Sequence, residues 1–448
     1  MQLSIITMMQ REISLSKQNF TGKKCQICTG CGCCLGGPDL HVVMTRKEAW
    51  AEREEPIFSP SGGRLVTADI GTTTIALQLY DREGHVTTDY AAVNPQVRFG
   101  ADVLSRIQAA QDPKNREQMR SEVRAKLVDA LECFRTHLQP GETMYMVLAG
   151  NTTMIYLLMG FDPAELGRAP FTASYLDGLE IDIETKNGVV PCTVFPGLSA
   201  FVGGDIAAGM YACGMQEREE VTLLIDLGTN GEMVLGNRHR RIACATAAGP
   251  AFEGGVNRGV WGADMVHLLA TLKREGIVDD TGLLADDYFE EGILIGNVHV
   301  TQEAIRAIQL AKGAIGAGIC ILMKEYGLED IEKIDRVILA GGFGYYLNPE
   351  DAAEIGLLPK ELAAKASAGG NTALAGALRL GREILARGGV AAVCGRAEAE
   401  GVAEQSAADV EFESNLGILG TEIINLATCP DFQELYIRHM NLNTYEID

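Results

Sequence analysis

Apolar residues gather along the chain in short blocks, and each block stops at a turn of small or polar residues. The block Leu65-Val66-Thr67-Ala68 leads into Asp69-Ile70-Gly71-Thr72-Thr73-Thr74, and Ile75-Ala76-Leu77-Gln78-Leu79-Tyr80 follows, ending at Asp81. Strand, glycine turn and strand predict a β-hairpin. The design recurs downstream. Val221-Thr222-Leu223-Leu224-Ile225 leads into Asp226-Leu227-Gly228-Thr229-Asn230-Gly231-Glu232, and Met233-Val234-Leu235 follows. In each copy an Asp closes an apolar strand and Gly-Thr stands two residues later. A second echo keeps the same order. Met144 to Leu148 ends in Ala149-Gly150-Asn151-Thr152-Thr153, and Val337-Ile338-Leu339 ends in Ala340-Gly341-Gly342-Phe343-Gly344. Two signals repeated in one order predict two homologous halves facing each other. Between them, Asp102 to Ala110, Arg116 to Leu138 and Ala304 to Tyr326 carry apolar residues at helical spacing. Ala386 to Glu413, rich in Ala, Gly and Glu, fits no single pattern.

At 448 residues the chain has room for two or three domains, and 47% hydrophobic residues suffice for a sizeable core. Aromatics are only 6%, and the 51 glycines sit at loop junctions, a lean aliphatic α/β composition. The turn-rich stretch Pro56, Pro60, Ser61-Gly62-Gly63 reads as a linker. The expected division is therefore 1–63, a Cys-rich segment and linker; 64–218, a first half; and 219–448, a second half with a C-terminal extension. The formal net charge of −22 argues against nucleic acid and against docking on anionic lipid, because both select Lys/Arg surfaces. It leaves open a basic partner or solubility alone. No run approaches the roughly 18–20 apolar residues of a membrane helix. The apolar patch Leu3 to Met9 has no basic region before it and ends at Gln10-Arg11-Glu12, so no signal peptide and a cytoplasmic location are expected.

The glycine turns carry chemistry suited to a nucleotide triphosphate. Glycine lets backbone N–H groups approach an anion closely. Thr hydroxyls add donors. An Asp just before the turn can hold Mg²⁺ through water, because Mg²⁺ gives up its waters reluctantly. Asp69 with Gly71, Thr72, Thr73 and Thr74 forms one such set; Asp226 with Gly228, Thr229, Asn230 and Gly231 forms the other. A single copy is ordinary turn chemistry; two copies, followed by Ala340 to Gly344, are not.

These residues resemble the actin, sugar-kinase and heat-shock-chaperone superfamily. The resemblance implies duplicated ribonuclease-H-like (actin-like ATPase) α/β halves around a nucleotide cleft. It makes the hairpins the two phosphate motifs, Gly341, Gly342 and Phe343 part of the adenosine motif, and Lys312 a contact to adenine and ribose. Three more stretches, Gly150-Asn151-Thr152-Thr153-Met154, Phe201-Val202-Gly203-Gly204-Asp205-Ile206 and Ala248-Gly249-Pro250-Ala251-Phe252-Glu253-Gly254, narrow it. With Asp226 to Glu232 they look like the reductive activators of corrinoid proteins, over about residues 64–385. What this implies is ATP-driven return of a corrinoid carrier from Co(II) to Co(I) for methyl transfer, with ATP, Mg²⁺ and a low-potential donor such as ferredoxin. It places Asp205 near the γ-phosphate or its metal, and Glu232 and Glu253 at the metal, water or loops, with Gly150, Asn151 and Gly249 beside the nucleotide. A homodimer is compatible with it.

The cysteines depart from that family. The activators in question carry an N-terminal plant-type ferredoxin domain with Cys-x4-Cys-x2-Cys; this chain has Cys25, Cys28, Cys31 and Cys34, each three apart, with Cys33 extra. Cys-x2-Cys-x2-Cys is the spacing that wraps a [4Fe–4S] cube, with Cys34, Cys33 or distant Cys429 as fourth ligand. Structural zinc also accepts four thiolates, and a reactive thiol patch is a third reading. Two further functions stay open. A small-molecule kinase would use Asp205 as base but has no need of the thiols. A chaperone-like ATPase would need a larger substrate domain than the residues past Leu385 supply.

Overall fold

The computed structural model describes residues 63–228, 230–246, 262–295, 298–386, 416–418 and 420–443. Two six-stranded sheets dominate. The first contains β1 (Gly63–Ile70), β2 (Thr74–Tyr80), β3 (Val86–Val93), β4 (Thr143–Gly150), β5 (Leu179–Thr185) and β6 (Gly188–Val194), in the order β3-β2-β1-β4-β6-β5. The second contains β7 (Thr222–Leu227), β8 (Gly231–Gly236) and β9 (Arg241–Thr246), then, beyond a small hairpin of β10 (Ile293–Ile295) and β11 (Val298–Val300), β12 (Arg336–Ala340), β13 (Ala366–Gly370) and β14 (Glu422–Ile423). Its order is β13-β12-β7-β8-β9-β14.

The repetition read in the sequence is a repetition of topology. In each sheet the first strand pairs antiparallel with its hairpin partner and parallel with a later strand. Even the register repeats: Asp69 lies beside Ala149 across β1 and β4, and Asp226 beside Ala340 across β7 and β12. The Asp that ends one strand thus always neighbours the Ala-Gly that ends the other. This is the duplicated ribonuclease-H-like α/β architecture.

The central strands are apolar on both faces, as strands covered on both sides must be, and alternate residues feed different cores. On β1, Val66, Ala68 and Ile70 join the core of the first half, and Leu65 joins the seam between halves. On β7, Leu223, Ile225 and Leu227 join the core of the second half, and Leu224 joins the seam. Two helices fill that seam, Gly204–Cys213 and Thr372–Ala386. They touch through small side chains. A Cβ on Gly376 would collide with the Ala208 carbonyl of the facing helix, so the backbones meet where only hydrogen fits.

The expected helices form with shifted ends. Val103–Ala109 is capped by the Asp102 carboxylate, and Pro113–Arg135 starts earlier than expected because Asp112 caps it with Pro at its first turn. Gln302–Tyr326 starts at a Thr301 cap. By length and hydropathy it could span a bilayer, but 83% of that window is buried, so this apolarity belongs to the core. β3, β5, β6, β9 and β13 and the helix Thr372–Ala386 were not anticipated. The Cys-rich run and residues 387–413 lie outside the described residues.

Substituting Gly376→Ala should lower the free energy of unfolding by about 1–3 kcal/mol, because the obstacle is backbone and cannot rotate away. Urea unfolding checks this; an unchanged midpoint would contradict the close helix contact.

Candidate functional site

The turns that end β1 and β7 open onto one cleft between the halves, of about 160 Å³. Its wall contains Asp69 and Gly71 to Thr74 from the first hairpin, and Asp226, Leu227, Gly228, Asn230 and Glu232 from the second. Asn151, Asp205 with its neighbour Ile206, Gly341 and Gly342 complete the part anticipated from sequence; Asn371 and Ala373 complete the part that was not.

Local bonds fix both hairpin turns in similar ways. The Gly71 N–H donates to the Thr74 carbonyl at 2.9 Å, and the Gly228 N–H to the Asn230 carbonyl at 3.0 Å. The first turn is also pinned from outside: buried Asn94 donates Nδ2 to the Gly71 carbonyl at 2.9 Å, and its backbone N–H to the Thr73 carbonyl at 2.8 Å. Asn151 caps the helix Thr152–Met159, accepting from the Thr153 N–H at 3.0 Å. Asp205 opens the seam helix and accepts from the Ile206 N–H at 2.9 Å. Gly341 has φ of 76°, and a Cβ there would stand 2.5 Å from Asp226 Oδ1. A glycine is thus required by both conformation and space.

Four carboxyls share this cleft, and burial raises all of them. Burial, then the Asp205 carboxylate, pushes Asp69 up to about 7, against the pull of a hydrogen bond from Asn371. Burial, then Asp205 and Asp69, pushes Asp226 up to about 7. Burial pushes Asp205 up to about 6, with the Ile206 N–H working the other way. Glu232 is held well above the ordinary glutamate range by burial, then Asp205 and Asp226. Such a cluster invites a divalent cation. Among the described residues no three His, Cys, Asp or Glu side chains are gathered closely enough to hold a metal directly.

Not every expected residue reaches the cleft wall. Gly150 ends β4, Gly231 begins β8, and Phe343 is buried in the helix Gly341–Tyr346. Lys312 requires a correction: it does not line the cleft. It is buried, and its ammonium donates to the His439 and Asn441 carbonyls of the C-terminal segment. Burial, then Lys273, lowers its pKa to about 7. Cys429 packs partly buried against the second core, and burial raises its thiol. Thr229, Gly249, Glu253 and the run Cys25, Cys28, Cys31, Cys33, Cys34 lie outside the described residues.

Sequence reasoning missed Asn371, which donates Nδ2 to Asp69 Oδ2 at 2.8 Å. A signal was available. Gly370-Asn371-Thr372 repeats Gly150-Asn151-Thr152, and Asn before an amphipathic run is an N-cap signature.

The raised carboxyls dictate a pH dependence. In the unfolded chain these groups ionise near their ordinary values; folded, Asp205, Asp69 and Asp226 hold protons up to about 6 or 7. The native state therefore binds more protons between pH 4 and 7. Their stabilisation is complete below pH 4 and is lost as pH rises through 6 and 7. In chelator, Asp226→Asn should gain stability over wild type at pH 8 relative to pH 5, by on the order of 1 kcal/mol. Denaturant titrations at both pH values check this; an equal difference at both would contradict the raised Asp226 carboxyl.

Comparison with known proteins bears on this geometry. Residues 65–218 match the RACo middle region, and residues 220–259 and 256–448 match the C-terminal domain of RACo, the ASKHA domain. The corrinoid activation enzyme RamQ of Eubacterium limosum is 29% identical, with 72% of this chain and 64% of that protein covered. The [Co(II) methylated amine-specific corrinoid protein] reductase of Methanosarcina barkeri is 26% identical, with 48% and 46% covered. The chain thus spans less than two thirds of the length of these curated relatives. A solved reductive activator for a corrinoid, iron–sulfur protein superposes with a TM-score of 0.70 at 30% identity, over 87% of this chain and 68% of that one.

Proposed function

The chain belongs to the RACo family, and on that premise we propose that it couples ATP to the one-electron reduction of a corrinoid protein from Co(II) to Co(I). The observation that carries this reading is the cleft. Two glycine turns from homologous halves and four crowded carboxyls converge there, in a fold whose relatives are named for corrinoid activation.

The residues present fit MgATP. Thr72, Thr73 and Thr74 at the cleft wall offer hydroxyls to phosphate oxygens. Gly341 and Gly342 line the same wall, and a side chain on Gly341 would strike Asp226. Asp69 and Asp226 would hold the waters of Mg²⁺, with Glu232 and Asp205 ordering water nearby. Bound there, Mg²⁺ supplies positive charge against the phosphates and the carboxyls alike. Asp205, pushed up to about 6, can take the proton of a water attacking the γ-phosphate. We place the halves at 64–218 and 219–448, with 1–63 as a separate Cys-rich unit.

The electron is a separate matter from the nucleotide. ATP can drive reduction only by favouring a conformation or complex in which cobalt accepts the electron more readily. Each roughly 59 mV gained is tenfold in equilibrium constant. The electron comes from a low-potential donor of the ferredoxin kind, and the partner is a corrinoid methyl carrier. Cys25, Cys28, Cys31 and Cys34 are proposed to hold an iron–sulfur cluster, with zinc as the alternative; iron and sulfide analysis of protein purified without oxygen distinguishes the two.

The test mixes anaerobic protein with a Co(II) corrinoid protein, a reductant and MgATP, and follows the cobalt absorption bands. Co(I) should appear only with ATP, and Asp226→Ala should slow its formation by about 100-fold or more. Co(II) that persists with several corrinoid partners while ATP is consumed would sink the activator reading and leave a nucleotide-using enzyme such as a kinase.

A further inference from the structure

The cleft is built from two halves, yet only some of its polar side chains tie one half to the other. Asn371 does so across 302 residues of sequence. It stands between β13 and the helix Thr372–Ala386, after the last strand of the second sheet's parallel edge. Its two side-chain atoms are both engaged. Nδ2 donates to Asp69 Oδ2 at 2.8 Å, across to the first half. Oδ1 accepts from the Leu374 N–H at 2.8 Å, within the first turn of the helix that follows. One amide therefore joins the first hairpin's carboxylate to the start of a seam helix.

That helix is not free to drift. It packs against Gly204–Cys213, the helix that Asp205 opens, through the close approach at Gly376 and Ala208. Farther along, a Cβ on Gly381 would collide with the Leu65 side chain of β1, the strand that Asp69 ends. Asp69, Asp205 and Asn371 thus sit at the cleft ends of three elements locked side by side. A carboxylate that must orient a hydrated cation has two oxygens and free rotation about its last bond. A single donor on one oxygen chooses which oxygen faces the cleft.

We propose that Asn371 is a positioning residue: by donating to Asp69 Oδ2 it leaves Oδ1 turned to the nucleotide site and makes the set of that carboxylate follow the seam helix. The inference rests on the MgATP reading of the cleft but not on the electron-transfer step. It predicts an effect on turnover rather than on nucleotide affinity, because a misdirected carboxylate fails in the transition state more than in the bound complex.

The experiment separates positioning from capping. Asn371→Asp keeps the size and the cap acceptor, since Asp caps helices as well as Asn, but replaces the donor with an oxygen that repels Asp69. Asn371→Ser keeps a capping hydroxyl but is too short to reach across. ATP hydrolysis is measured with full-length protein and MgATP, with melting followed alongside. Both variants should lose about 100-fold in kcat, with KM for ATP within about threefold of wild type; Asn371→Ser should melt close to wild type, and Asn371→Asp lower but still cooperatively, because it adds a carboxyl to the cluster. Retention of kcat by either folded variant, or a loss confined to KM, would overturn the inference. The comparison is read on hydrolysis alone. Wild-type protein that hydrolyses ATP without reducing any corrinoid partner would end the activator reading and leave the Asn371 result standing.

Discussion

Like charges held at the ends of buried strands set the terms for this molecule. Asp69 and Asp226 each stand one residue before the end of a central strand, and each feels Asp205, on top of burial, enough to keep its proton toward neutral pH. The hydrogen bonds from Asn371 and from the Ile206 N–H offset this only in part. A protein that keeps such a cluster sacrifices stability at physiological pH for a site that gains most when positive charge arrives. The rest of the architecture holds the four carboxyls together against that repulsion.

Backbone geometry is how it does so. Two sheets of the same topology bring Asp69 beside Ala149 and Asp226 beside Ala340, so each acidic strand end has a small-residue turn as its neighbour. Seam helices then hold the two sheets at close range. Their contact depends on hydrogen standing where a methyl would collide, at Gly376 against Ala208. Close-packed contacts of this kind do not deform smoothly. A change in how the halves meet therefore moves whole helices and, with them, Asp205 and Asn371. In the proposed function, such a movement is what would link the nucleotide cleft to a bound partner.

The correction at Lys312 shows where resemblance reaches its limit. The residue lies on the expected helix, but a helix fixes only the direction of a side chain, not what stands opposite it. Here the C-terminal segment stands opposite, and its His439 and Asn441 carbonyls take the ammonium. Similarly, the apolar helix Gln302–Tyr326 has the composition of a membrane span because it is buried on most sides by protein.

What the sequence determined by itself was periodicity and local chemistry. Apolar runs ending in Asp and Gly-Thr gave β1, β2, β7 and β8, and the repeated Ala-Gly ends gave β4 and β12, because strand length, turn residues and two-sided burial are encoded within a few neighbours. The repetition of those signals in one order was enough to read the duplicated fold, and with it most of the carboxyls and glycines of the cleft. Tertiary structure decided the rest. Edge strands such as β3 and β5 carry a weaker apolar signal because one face is exposed. Asn371 meets Asp69 across 302 residues, a pairing that no local pattern contains. The raised carboxyls exist only once both halves close on one cleft, since burial and mutual repulsion are properties of the assembled space and not of any segment of the chain.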